Sequence, residues 1–193
     1  MPDQSREYVR SHELLSRNDS RLLVVDVQEK LTPLIPGADR MISNCKRLIQ
    51  AANLLGVPVA ATQQYPKGLG AIVPELAALL DDAPEKQLFS CAEVLGWGTE
   101  ADRQNGREKV VVAGIEAHVC VLQTALDLLS QGFRVYVPAD SVASRGELDW
   151  KIALDRLSLS GATITTTESV LFEWCETSAA PEFKAISRLI REG

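Results

Sequence analysis

The feature that most constrains this chain is an alternation. From about Arg21 onward, short uninterrupted apolar runs are followed by longer segments of helical period, and the pattern repeats toward the C-terminus. Leu22-Leu-Val-Val25 and Val110-Val-Val-Ala113 place no polar residue at alternate positions. Both faces of such strands must be covered, as in a parallel sheet enclosed by helices. Parallel neighbours need crossover connections, and these turn right-handed. The expected fold is therefore a three-layer α/β/α, doubly wound, mainly parallel six-stranded sheet of order 3-2-1-4-5-6. The six strands are expected at Arg21–Asp26, Val57–Thr62, Lys86–Phe89, Lys109–Gly114, Phe133–Val137 and Ala162–Thr165. Helices are expected from Ala38 to Gly56, Ile72 to Leu80, His118 to Ser130, Glu147 to Ser160 and from Pro181 onward, with a weak polar helix between Gly96 and Gly106. In the first of these, Met41, Cys45, Leu48, Ala52 and Leu55 recur at three and four residues, which lines one face with apolar side chains.

Composition narrows the functional classes. A chain of 193 residues with 46% hydrophobic and 24% charged residues suits one globular unit, expected over residues 21–193 behind a polar N-terminal arm of residues 1–20. The formal net charge of −6 leaves no electrostatic footprint for phosphate backbones or anionic lipid, so neither nucleic acid nor a membrane is an expected partner. No apolar run approaches the roughly 20 residues of a membrane span. The arm lacks the apolar centre of a secretory signal, which predicts a cytoplasmic protein. Cys45, Cys91, Cys120 and Cys175 form no C-x-x-C pair and no Cys/His cluster at zinc spacing. Disulfides, a bound metal and a cofactor are accordingly not expected.

In a doubly wound sheet the functional crevice opens at the carboxyl ends of the strands where their order reverses, here between strands 1 and 4. Asp26 ends strand 1, where a poorly solvated carboxylate is suited to proton exchange, although a turn-forming Asp has the same position. Cys120 follows strand 4 and is expected in the first turn of the next helix, where free N–H groups and the helix dipole stabilise a thiolate and an oxyanion. His118 is two residues away, and such a pair points to different faces, so Asp26 is the better proton acceptor. A cation is then needed to reconcile carboxylate with thiolate, and Lys86 beside strand 3 is the candidate.

These residues carry a family resemblance. Leu-Leu-Val-Val-Asp26-Val-Gln28, Lys86 followed by Phe89-Ser90, and Gly114-Ile-Glu-Ala-His-Val-Cys120 resemble the three signatures of isochorismatase-like cysteine hydrolases. Asp140-Ser-Val-Ala-Ser-Arg145 and Thr166-Thr-Glu-Ser-Val-Leu-Phe172 extend it, and Gln64-Tyr-Pro-Lys-Gly-Leu-Gly70 is similar to the isochorismatase domain-containing subgroup. The resemblance implies a triad of Asp26, Lys86 and Cys120. It also implies a cis peptide between Ile115 and Glu116, with the Glu116 and Cys120 amides facing an oxyanion. Gln28, Tyr65, Leu69, Phe89 and Trp97 are the candidate substrate contacts. Two departures matter. Ala117 stands where many family members have Thr, and Gln63, Gln64 and Tyr65 replace the Asp and two His with which the family's nicotinamidases bind a metal.

The function expected is hydrolysis of a small amide-type molecule through a cysteine thioester. The alternatives are vinyl-ether hydrolysis of the isochorismatase kind and a non-enzymatic, oligomeric binding protein. A homo-oligomer is expected from the resemblance and from the apolar stretch Val170, Leu171, Phe172 and Trp174.

Overall fold

The computed structural model describes residues 8–97 and 106–191. The strands are β1 (Ser20–Val25), β2 (Val59–Gln64), β3 (Glu85–Lys86), β4 (Lys109–Ile115), β5 (Arg134–Pro138), β6 (Val142–Ala143) and β7 (Thr163–Thr165). They form one sheet of order β3-β2-β1-β4-β5-β7, with β6 paired to the end of β4, and every pairing between them is parallel. The expected three-layer architecture and strand order are found, with β7 in the place of the expected sixth strand. The addition is β6, whose two residues pair with Gly114 and Ile115. Two residues are too few to show any period.

The uninterrupted apolar runs do what their pattern predicts. Leu22, Val24, Val111, Ala113 and Ile115 belong to the core on one face of the sheet, and Leu23, Val25, Val110 and Val112 to the core on the other. The first face is covered by α1 (Ala38–Leu55), α7 (Thr167–Cys175) and α8 (Phe183–Arg191). The second is covered by α5 (Leu122–Ser130) and α6 (Glu147–Leu159). α1 buries Met41, Cys45, Leu48, Ile49, Ala52 and Leu55, and ends where Gly56 turns left-handed and its N–H donates to the Ala52 carbonyl. β4 meets the end of β1 at Gly114, whose φ is +117° and where any Cβ would strike the Val25 backbone. Only glycine fits there.

Several boundaries differ from expectation. β2 lies two residues later than Val57–Thr62, so Gln63 and Gln64 are strand residues. The helix expected from Ile72 to Leu80 is instead the single turn α3 (Pro74–Ala77), and the segment before it holds another single turn, α2 (Pro66–Leu69); each begins at a proline that suits a first turn. Of the helix expected between Gly96 and Gly106, residues 98–105 lie outside the described residues; α4 (Ala92–Leu95) precedes it. α7 was not anticipated, although Thr166 caps it by accepting the Ser169 N–H. Its Val170, Leu171 and Trp174 are fully buried within this chain, so they offer nothing to a partner; of that stretch only Phe172 is exposed. This removes the sequence-based reason for an apolar docking face there.

Part of the expected N-terminal arm is described and lies against this framework. Leu15 is buried, Arg10 donates to the carbonyls of Leu15 and Glu173, and the Lys109 ammonium bridges the Asp19 carboxylate and the Leu14 carbonyl, each at 2.7 Å.

Candidate active site

Asp26 follows the last residue of β1 in the left-handed region, at φ 51°, which turns its side chain out of the strand's alternation. Its N–H donates to the Thr62 carbonyl, so the backbone is still held to β2. The carboxylate is fully buried and lies 2.6 Å from the Lys86 ammonium. Lys86 arrives from β3, which pairs with the end of β2 at Gln64. It too is buried, and its ammonium also donates to Gln64 Oε1 at 2.7 Å, the Phe89 carbonyl at 2.9 Å and the Leu88 carbonyl at 3.2 Å. An ammonium has three protons, and here they are all satisfied by fixed acceptors. The solvated surface lysine that composition alone would favour is not what forms.

Cys120 completes the cluster. It sits in a turn of π-helix, Ala117–Val121, between β4 and α5, rather than in the first turn of an α-helix as expected. The wider turn precedes α5 and is anchored by the Val119 and Val121 N–H groups, which both donate to the Glu116 carbonyl. The thiol lies within the influence of the Asp26 carboxylate, which opposes its ionisation. Burial, and next the Asp26 charge, push it up to about 12, while Lys86 pulls the other way. This corrects the expectation of a preformed thiolate: desolvation and the Asp26 charge outweigh the nearby cation, and the resting sulfur keeps its proton. Even so, Cys120 is 7% exposed while Cys45 and Cys91 are sealed at 0% and Cys175 at 1%.

The Ile115–Glu116 peptide bond is cis. Ile115 points into the core. The Glu116 side chain turns away from Cys120, accepting the Arg145 backbone N–H at 3.0 Å and its Nε at 3.1 Å. His118 pairs with Ser144 at 3.0 Å. Among the described residues, no group of three or more His, Cys, Asp or Glu side chains is placed to hold a metal ion. At the end of β2, Gln63 donates to the Ala83 carbonyl, and Gln64 accepts from Lys86 and donates to the Gln87 carbonyl.

The five candidate substrate contacts separate. Tyr65 and Phe89 are tied to Lys86, the former donating its N–H to the Lys86 carbonyl and the latter's carbonyl accepting from the ammonium, and both side chains are about half exposed. Leu69 is half-buried in α2 beside them. Gln28 does not face a ligand. It is fully buried, its amide donates to the carbonyls of Gln64 and Gly70, and its oxygen accepts the Gln64 N–H, making it a strut between β1, β2 and the turn at Gly70. Trp97 lies elsewhere altogether. Its ring is stacked under the Arg21 guanidinium at 4.6 Å and packed on Phe133, beside the beginnings of β1 and β5 and so at the opposite end of the sheet from the site. Residues overlooked in the sequence are Thr62, Cys91 and Gln64, which surround the Asp26–Lys86 pair. A polar triplet closing an apolar strand, Thr62-Gln-Gln64, was the available signal. A separate cavity of about 580 Å³ lies beyond β6, bordered by Arg40, Met41, Asp140, Ser144 and Trp150; none of the three clustered groups lines it.

Fold and site together define a class: a doubly wound α/β protein of the hydrolase type, with a cysteine, a carboxylate and an ammonium gathered at the switch point of its sheet. The chain belongs to the isochorismatase family, whose Isochorismatase domain matches residues 20–169. Relatives include the secreted isochorismatase effector Isc1 of Phytophthora sojae, 40% identical over 91% of this chain and 86% of that protein. Another is the mouse isochorismatase domain-containing protein 2A, 39% identical over 90% of this chain and 83% of its own length. Among solved structures, the MAR1 ribonuclease of Caenorhabditis elegans matches at TM-score 0.85 and 38% identity, covering 92% of both chains. The YcaC gene product of Escherichia coli, described as an octameric hydrolase of unknown specificity, matches at TM-score 0.81 and 26% identity over 94% of this chain and 91% of that one.

Proposed function

We propose that this protein hydrolyses a small molecule with an amide-type C–N bond through a thioester on Cys120. The observation that carries this reading is the Asp26 carboxylate held 2.6 Å from Lys86 and near enough to the Cys120 thiol to oppose its ionisation. A protonated thiol beside a fixed, buried carboxylate is a nucleophile with its base at hand. Cys120 Sγ attacks the carbonyl carbon as its proton passes to Asp26. The carbonyl oxygen becomes an oxyanion facing the N–H groups of Glu116 and Cys120. Collapse breaks the C–N bond, Asp26 returns the proton to the leaving nitrogen, and the thioester remains. Water then attacks the thioester, giving one proton to Asp26. The acid departs, and that proton goes back to the sulfur. Lys86 keeps the carboxylate oriented and lowers the cost of negative charge on sulfur, the direction of its effect on the thiol. Tyr65, Leu69 and Phe89 form the approach.

The net charge of −6 favours a small substrate over a nucleic acid, which needs a basic surface. Cys45, Cys91, Cys120 and Cys175 are all unpaired, as suits a cytoplasmic protein. Assembly into a homo-oligomer is supported by the octameric YcaC relative, and the apolar surface free for it is the outer face of α6, where Leu148 and Leu159 are 71% and 89% exposed. Release of amine from a panel of small amides tests the reaction. It should be lost in Cys120→Ala and Asp26→Asn while both remain folded; release that persists in Cys120→Ala contradicts a thioester route.

A further inference from the structure

The Asp26 carboxylate is gripped on its second oxygen by residues that the triad does not include. Val25 is in register with Thr62, so β2 brings a threonine alongside the end of β1. The fully buried Thr62 donates its hydroxyl to Asp26 Oδ1 at 2.8 Å. A hydroxyl has one proton, and this one is committed to the carboxylate. Cys91 Sγ, 3.2 Å from Thr62 Oγ1, is therefore the donor in that contact. Burial, then the Asp26 charge, push the Cys91 thiol up, so it has a proton to give. Cys91 is fixed in turn by its N–H, which donates at 2.9 Å to the hydroxyl of the buried Thr124 on α5. A line of donors thus runs from Cys91 through Thr62 to Asp26, opposite the one from Lys86.

Resting on the reading of Asp26 as proton acceptor, we infer that Thr62, backed by Cys91, is a positioning residue that fixes the rotation of the Asp26 carboxylate so that it receives the Cys120 proton. Lys86 at Oδ2 alone leaves the carboxylate plane free to turn about its Cβ–Cγ bond, a soft torsion. A second donor at Oδ1 removes that freedom, and orientation of a proton acceptor governs its efficiency. Thr62 touches neither the Cys120 thiol nor substrate in this scheme and acts only through Asp26.

The test uses iodoacetamide on the full-length protein, because alkylation needs the same first step: sulfur displaces iodide and forms the new C–S bond while the thiol proton leaves to Asp26. The rate at Cys120 is followed by peptide mass spectrometry between pH 6 and 9, alongside thermal unfolding of each variant. Thr62→Val should slow alkylation at neutral pH by roughly ten-fold, and Thr62→Ser, which restores the hydroxyl, should stay within about two-fold of the parent. In an Asp26→Asn background Thr62→Val should add nothing, because the two act as one unit. Should Thr62→Val not fold, Thr62→Ala replaces it with the same expectations. An unchanged rate in Thr62→Val overturns the inference, as does an equal slowing in the presence and absence of Asp26. If Asp26→Asn alone alkylates at the parental rate across the pH range, the proton-acceptor reading itself falls and takes this inference with it.

Discussion

The residue that organises the site is Asp26, because Lys86 and Thr62 hold its buried carboxylate from either side. Lys86 is the costlier of the two to lose. Lys86→Met leaves Asp26 sealed from water without a countercharge, which should destabilise the fold by about 3–5 kcal/mol in urea unfolding. Asp26→Asn should cost less, since the ammonium keeps its acceptors at Gln64, Leu88 and Phe89. Equal losses would mean that the pair is not the dominant electrostatic contact. The same geometry corrects which property marks Cys120 as the reactive thiol. It is not a low pKa, because burial holds the thiol up at about 12; it is the combination of slight exposure with a proton acceptor at hand. Limiting iodoacetamide should therefore label Cys120 before the other three cysteines, and prior labelling of Cys45, Cys91 or Cys175 would contradict this.

Among the elements, those with long periodic or uninterrupted patterns were legible, as was the short β7, whereas β6, α2 and α4 were not. α1 was readable from Met41 to Leu55, and β1 and β4 from their lack of alternation, because packing and propensity agree there. β6 and α2 carry too few residues for a period, and the ends of β2 and β3 are set by which backbone groups Gln28 and Lys86 bind, which no local pattern encodes. Two predictions belong at this scale. Gly114→Ala forces a Cβ onto the Val25 backbone at a φ that disfavours any side chain, and should cost roughly 3 kcal/mol or more, the strain and the overpacking adding. A loss below about 1 kcal/mol would show that β1 and β4 can part there. In α1, burial and then the Asp140 charge push the Cys45 thiol up to about 12. The unfolded chain releases that proton near pH 8.5 or so, whereas the native state keeps it. The native state therefore binds more protons above this point, and the stability contributed by the buried thiol, complete below the unfolded value, is lost as pH rises toward 12. Unfolding free energies from urea titrations at pH 8, 9 and 10 should fall more steeply for the parent than for Cys45→Ala, by about 1.4 kcal/mol per pH unit once past the unfolded value; parallel curves would contradict it.

For the whole molecule, the layer order and the position of the crevice followed from the alternation of strands and helices. Asp26 and Cys120 were legible because one ends and the other follows a recognisable strand at that crevice, and Lys86 because a carboxylate and a thiol there need a cation. What was not legible is what depends on neighbours across the sheet. Thr62 and Cys91 meet Asp26 only once β2 lies in register with β1 and the segment after β3 folds back beneath it. Trp97, an aromatic residue ten positions or so beyond Lys86, has the composition of a pocket wall but is drawn to Arg21 and Phe133 at the far end of the strands. The apolar stretch of α7 is consumed by this chain's own core, which moves the candidate assembly surface to α6. Light scattering at micromolar concentration should give a mass above the 21.1 kDa of one chain, and Leu148→Arg with Leu159→Arg should lower it; a monomer mass for the parent would refute assembly.

The central claim is that Cys120 becomes acylated with Asp26 taking its proton. Mixing the protein with p-nitrophenyl acetate and following intact mass during the first turnovers addresses it directly, since the leaving nitrophenolate needs no proton and the acyl group has one destination. The parent should show a burst of nitrophenolate and a single acetyl increment mapping to Cys120, with the burst much slowed in Asp26→Asn and absent in Cys120→Ala. An acetyl increment on another residue, or an undiminished burst in Cys120→Ala, would contradict the account.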